Sequence, residues 1–207
     1  RKYIPTTYWT FVVATLAIAG IPGMSGFFSK DEILWKAYSS GHGHPIFWVI
    51  GLVTACLTAF YMFRLVYLTF HGTERMDEKT KHHIHESPRT MTVPLMILGV
   101  LSIVGGWIGM PHIFGVTNYF EHWLEPVTSS GMESTGSIAH ASGGGDAGFE
   151  ITLMFVTVLL VIGAILLARY LYIRNTAAST TVREKSGRLY TLLLNKYYVD
   201  EIYGALV

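Results

Sequence analysis

Lys30 and Asp31 stand side by side just past a glycine–proline cluster, Gly20-Ile21-Pro22-Gly23-Met24-Ser25-Gly26, in which an apolar run ends. Between Thr6 and Ser29 the chain carries no charged side chain. A lipid-facing helix has no use for Pro22 with Gly20, Gly23 and Gly26 in its middle, nor for an amine and a carboxylate in its far half. A helix interrupted at membrane depth, with ionisable groups just past the break, is the pattern of an ion or proton path. The chemistry open to the pair is loading and releasing a proton.

Two readings of Lys30 stand. Eight helical residues past Pro22 carry it roughly 12 Å toward one boundary. Its four-carbon stem could then reach the outer headgroups. Alternatively it points into the bundle, where desolvation and a neighbouring carboxylate act in opposite senses on its affinity for a proton. Asp31 projects about 100° around the helix from Lys30 and is not its face-to-face partner. Glu32 and Lys36, four apart, can pair on one face. Pro22 supplies no backbone N–H and leaves the carbonyl of Ile18 unpaired, which is tolerated where protein or cavity water can satisfy it. Without such a partner, Pro22 is a packing kink.

Arg64, in a second apolar run, is read either as a snorkelling cation or as a supporting charge beside the proton path, with Thr54, Thr58 and Tyr61 supplying hydroxyls. His71, His82, His83 and His85 crowd one loop without regular ligand spacing or thiols, and are read as solvated; His42 and His44 are read likewise. Cys56 is alone in the chain and inside an apolar run, so it builds neither a disulfide nor a thiolate metal site and reads as packing. The Gly143–Gly145 stretch lacks strand-to-helix context and is a loop rather than a nucleotide site. No cofactor or metal site is assigned to this chain.

The elements that must position these residues are membrane helices. The chain is 51% hydrophobic and 14% charged, against about 25% charged in soluble domains. Apolar runs cover about 6–38 (interrupted), 46–70, 91–110 and 151–172, and roughly 20 residues suffice to span. Thirty-three unbroken helical residues would be roughly 50 Å long, more than the hydrocarbon core. A break in the middle of the first run relieves that. The expected fold is all-α: a polytopic helix bundle over 1–185 with four spans, the first broken. From 186 to 207, Leu189, Leu192, Leu193, Tyr197 and Ile202 alternate with charges, and the stretch reads as the start of an amphipathic interfacial helix. The chain opens on Arg1 and stops at Val207 without a signal pattern, which suggests a piece of a longer polypeptide.

Of 15 Lys and Arg residues, 12 fall before the first span, between the second and third, or from the end of the fourth (Arg169) onward. Lys36 alone falls on the other side, and Lys30 and Arg64 lie within spans. The positive-inside rule then puts both ends in the cytoplasm, and the Ser/Gly-rich loop 129–148 outside.

The motif Gly26-Phe27-Phe28-Ser29-Lys30-Asp31-Glu32-Ile33-Leu34 strongly resembles that of the distal antiporter-like membrane subunit, subunit L, of proton-pumping NADH–quinone oxidoreductase (respiratory complex I). Thr58–Arg64 with Leu68–Gly72, His85–Pro88, Val93-Pro94-Leu95 and Asn195–Tyr203 agree, so the resemblance covers nearly the whole chain. It implies the C-terminal part of that subunit. Lys30 would be the half-channel lysine on the broken helix and Asp31 its neighbour, both releasing the proton to the exterior. The resemblance also implies a bacterial inner-membrane location and neighbouring membrane-arm subunits and lipids as partners, with no nucleic acid. NADH, FMN, iron–sulfur clusters and quinone would sit in other subunits. The alternative of the same ancestry is the large subunit of a multi-subunit sodium/proton antiporter. A piece lacking the other half-channel is not expected to pump alone.

Overall fold

A computed structural model describes residues 2–40, 43–72, 77, 81, 83–110, 118–128, 147–174 and 185–206. His42, Arg75, Lys79, His82, Gly143–Gly145 and Arg183 lie outside them. The elements are all helices among the described residues. They are α1 (Pro5–Ala19), α2 (Ser25–Ser39), α3 (Pro45–Val66, continued by a wider turn Tyr67–His71) and α4 (Arg89–Val104, tightening into Gly105–Gly109). Then come α5 (Tyr119–Thr128), α6 (Ala147–Arg169, with a wider last turn Tyr170–Arg174), α7 (Gly187–Leu194) and α8 (Val199–Leu206).

Pro45–His71, Arg89–Gly109 and Gly148–Arg174 are 27, 21 and 27 residues long, enough for a hydrocarbon core about 30 Å thick. Helices α1 and α2, of 15 residues each, are each roughly 22 Å long. The first apolar run is therefore two short helices joined at residues 20–24, which is the interruption its glycines and proline predict. Large apolar side chains such as Val49, Val53 and Leu57 on α3, and Leu159 and Leu166 on α6, face outward, as suits a lipid or neighbouring-helix environment.

Helix α3 lies at the centre, packed against α1, α2 and α6, while α4 packs along α1. The inner seam is made of small residues: Ala55 and Ala59 of α3 meet Ala19 at the end of α1 and Val161 of α6. Without a hydrophobic drive between helices in lipid, close approach of small side chains is what brings such helices together. Two glycines fit the same logic at the break. A Cβ on Gly26 would overlap the carbonyl of Ala17, and one on Gly106 would overlap Ser25, so α2 meets both α1 and α4 through glycine. Trp107 of α4 reaches the break as well, its indole N–H donating to the carbonyl of Gly23 at 3.4 Å.

Each end of α1 is held by a side chain from elsewhere. Pro5 starts the helix, where its missing N–H costs nothing. Ile4 offers no cap, and the first free N–H groups turn instead to Glu86 in the α3–α4 connection. Glu86 accepts from Thr6 N at 2.9 Å, Thr7 N at 3.2 Å and Thr7 Oγ1 at 2.6 Å. Nearby, the Tyr8 hydroxyl and His71 Nε2 are 3.2 Å apart, tying α1 to the end of α3. At its other end α1 stops at Gly20 in the left-handed region, φ +77°. The N–H groups of Gly20 and Ile21 donate to the carbonyls of Ala17 and Leu16, as a glycine cap requires.

The tail is helical in two pieces. Lys196, Tyr197 and Tyr198 take φ of 49°, 60° and 58°, which ends α7 before α8 begins. Side chains hold the turn locally: Asn195 Nδ2 donates to the Tyr198 hydroxyl at 2.7 Å, and Lys196 pairs with Asp200 at 3.0 Å.

Gly26→Ala drives a methyl group into backbone at Ala17, whereas a methyl on Gly51 meets only the flexible end of Leu34. Gly26→Ala should cost about 1–3 kcal/mol and Gly51→Ala clearly less, since overpacking against a rigid group is the costlier case; thermal unfolding of the purified full-length protein in detergent measures the difference. The Thr7 hydroxyl bond, with the amides of Thr6 and Thr7, holds the Glu86 carboxyl below its usual range. A carboxylate so depressed stabilises the fold above its unfolded value, and that contribution is lost as pH falls through the lower, folded one. Exchange of the Thr6 and Thr7 amides should therefore stay slow at neutral pH and quicken only below the ordinary glutamate value of 4.5; in Glu86→Gln it should be fast throughout.

Candidate functional site

Pro22 has no N–H to return to the carbonyl of Ile18, one α-helical hydrogen bond back. In lipid a carbonyl without a donor is costly, because no bulk water can substitute. The donor it finds is Lys30. The side chain folds back from the second turn of α2, and Nζ donates to Ile18 O at 2.9 Å. Gly20 lies beside it: a Cβ there would be in ordinary contact, 3.5 Å from Lys30 Cδ and 3.7 Å from Nζ, so what the position asks of glycine is its φ of +77°. The half-buried side chain is turned into the break rather than along α2 toward its end.

Asp31 goes elsewhere. It is 8% exposed, and its Oδ2 accepts no hydrogen bond among the described residues. It lines a cavity of about 10 Å³ between α2, α3 and α6, together with Glu32, Trp35, Trp48, Glu150 and Thr157. Adjacent in sequence and separated by the helical turn, Lys30 and Asp31 thus serve two compartments of one site, the break and the cavity. They remain electrostatic neighbours of each other, and Lys30 also of Cys56 on α3. Cys56, read from sequence as packing alone, lies one residue from the Ala55 seam and in range of the lysine.

Of the other residues singled out, Gly20, Pro22, Gly23 and Gly26 together form the break. Gly20 and Gly23 adopt φ of +77° and +89°. Arg64 lies apart, its guanidinium 5.3 Å from the centre of the Tyr172 ring on α6, a cation–π contact. Eight residues along α3 from Cys56, it is roughly 12 Å from the lysine's neighbourhood. The histidines have local tasks: His44 Nδ1 accepts from Ile46 N at 3.2 Å and caps α3, and His85 Nδ1 is 3.1 Å from the Glu86 carbonyl. Sequence reasoning passed over Glu150 as an acid of the long loop. Its signal was there, in that an acidic residue in a first helical turn complements the helix dipole, and α6 begins at Ala147.

A broken apolar helix whose lysine closes the break lies beside a buried carboxylate, in a bundle of membrane-length helices. Residues 1–58 match the family described as NADH:quinone oxidoreductase/Mrp antiporter, TM. Over its whole length the chain is homologous to the subunit L and chain 5 proteins of NADH- and NAD(P)H-quinone oxidoreductases. It is 38% identical over 226 residues to the NAD(P)H-quinone oxidoreductase chain 5 of Picosynechococcus sp., covering 99% of this chain and 31% of that one. It is 32% identical over 212 residues to the NADH-quinone oxidoreductase subunit L of Rickettsia bellii, covering 100% and 31%. With the subunit L of Neisseria meningitidis it shares 29% over 221 residues, covering 98% and 32%. The chain thus spans about a third of the length of these relatives.

Lys30→Met keeps the length of the side chain and removes the donor, leaving the Ile18 carbonyl unpaired. An orphaned acceptor of this kind costs about 1–3 kcal/mol. The loss should appear as a lower unfolding midpoint and as faster amide exchange at Gly20–Met24, both read on the full-length protein in detergent.

Proposed function

We propose that this chain forms the exit-side half-channel of a proton-translocating membrane-arm subunit of an NADH–quinone oxidoreductase. Lys30 takes up a proton within the broken helix and, with Asp31, passes it toward the exterior. The observation that carries the reading is the bond from Lys30 Nζ to Ile18 O at 2.9 Å. It holds a titratable amine at the interruption of a membrane helix, where protonation alters both a charge and the pairing of a backbone carbonyl. The amine as a donor closes the break, and a change in its charge loosens that closure, so proton occupancy and local conformation are linked at one atom. Arg64 on Tyr172 acts as a supporting charge nearer the cytoplasmic end.

The same reading places the protein in a bacterial inner membrane with both ends of this segment in the cytoplasm. Its partners are neighbouring membrane-arm subunits and lipid, and NADH, FMN, iron–sulfur clusters and quinone are handled by other subunits. A sodium/proton antiporter subunit is the second reading, favoured by the family match over residues 1–58, whose description spans both classes. The relatives that match along the whole chain carry quinone oxidoreductase names, which supports the first.

Lys30→Ala, introduced into the full-length subunit of the assembled complex in membrane vesicles, should lower proton uptake per NADH oxidised. Electron transfer from NADH to a water-soluble acceptor should be unchanged. An unaltered proton-to-electron ratio would sink the assignment.

A further inference from the structure

The cavity beside Asp31 continues the site beyond the lysine. Asp31 is more than nine-tenths buried, it lines a space of about 10 Å³, and its Oδ2 accepts no hydrogen bond among the described residues. A space of that size is on the order of one water molecule. Its far wall is the start of α6, where Glu150, Met154 and Thr157 line one face. Thr157 spends its hydroxyl on the carbonyl of Leu153 at 2.9 Å. Glu150 lines the cavity, half-buried, in the first turn of α6.

We infer that Glu150 is the proton acceptor that follows Asp31, receiving the proton across the single-water cavity and releasing it at the outer end of α6. This rests on the proton-exit reading of Lys30 above. The step is a proton transfer alone: the O–H bond of protonated Asp31 breaks and an O–H bond on the Glu150 carboxylate forms, through water in the cavity both residues line. Asp31 is left as the carboxylate, and Glu150 then loses the same proton to exterior water. The charged and titratable groups facing this cavity are Asp31 and Glu32 on its α2 wall and Glu150 on its α6 wall, with Lys30 and Lys36 as further electrostatic neighbours on α2. The α3 wall contributes Trp48, which supplies no second acceptor on that side. Glu32 and Glu150 are in electrostatic range of each other, as are Lys36 and Glu150, so the charge on Glu150 is tuned from α2. A carboxylate that only complemented the α6 dipole would need no buried acid opposite it.

The test uses the complete complex in sealed membrane vesicles, reading proton uptake per NADH oxidised across a range of pH. Glu150→Gln should lose as much of the proton-to-electron ratio as Lys30→Ala does, with NADH oxidation by a soluble acceptor retained. Glu150→Asp should restore most of the ratio with a displaced pH profile. A normal ratio in Glu150→Gln beside a reduced one in Lys30→Ala overturns the Glu150 step and leaves the lysine reading standing. Normal ratios in both overturn the lysine reading itself. If Glu150→Gln prevents assembly, Glu150→Asp decides: a pH profile superimposable on that of the unsubstituted complex overturns the inference.

Discussion

A backbone carbonyl inside a membrane must find a donor, and no water is at hand to supply one. The end of α1 creates that need at Ile18, where Pro22 beyond it offers no N–H, and the surrounding structure is arranged to meet it. Gly20 turns the chain into the left-handed region beside the lysine stem. Gly26 lets α2 start against the backbone of α1. Trp107 and Gly106 close the break from the α4 side. Each of these features is disadvantageous in an uninterrupted helix, where glycine costs about 1 kcal/mol relative to alanine and proline about 3. Together they hold an amine at a fixed point of the bundle. The donor is a side chain whose proton count can change, which separates this arrangement from a kink satisfied by a serine or threonine hydroxyl.

The seam beside the break is made of close, small residues. Ala19, Ala55, Ala59 and Val161 form a seam in which little can move without opening a void, and voids in packed interiors are costly. The compartment around Asp31 is different in kind, walled by tryptophans and carboxylates, with room for about one water. Small-residue packing thus lies on one side of Lys30 and a polar cavity near the other.

Much of this was legible in the residues. The interruption followed from Pro22 and three glycines inside a run too long for one straight helix. The orphaned Ile18 carbonyl followed from proline chemistry alone. That Lys30 would satisfy it did not follow, because the contact depends on how far the chain reverses at Gly20 and Gly23, a matter of dihedral angles rather than of spacing. Glu150 was hidden for another reason. The apolar run of α6 starts at Ile151, so the acid just before it counted as loop, while the helix itself begins earlier and carries Glu150 onto the face turned to α2. In the tail, apolar spacing implied one amphipathic stretch, and a short-range contact between Asn195 and Tyr198 divides it in two.

The two clamps on α1 have opposite charge. A carboxylate, Glu86, sits on the N–H groups at its start, and an ammonium, Lys30, sits on a carbonyl at its end. Aligned peptide dipoles make a helix start roughly half a unit positive and its end roughly half a unit negative. Each clamp therefore carries the sign that the helix end beside it prefers. Helix α1 is then a polarised rod, roughly 22 Å long, seated between a fixed anion and a titratable cation. When the cation loses its charge, the carbonyl end of the rod is left uncompensated while the amide end remains held. The imbalance is felt within the last turn of α1, at the break itself, while the first turn keeps the anion that compensates it.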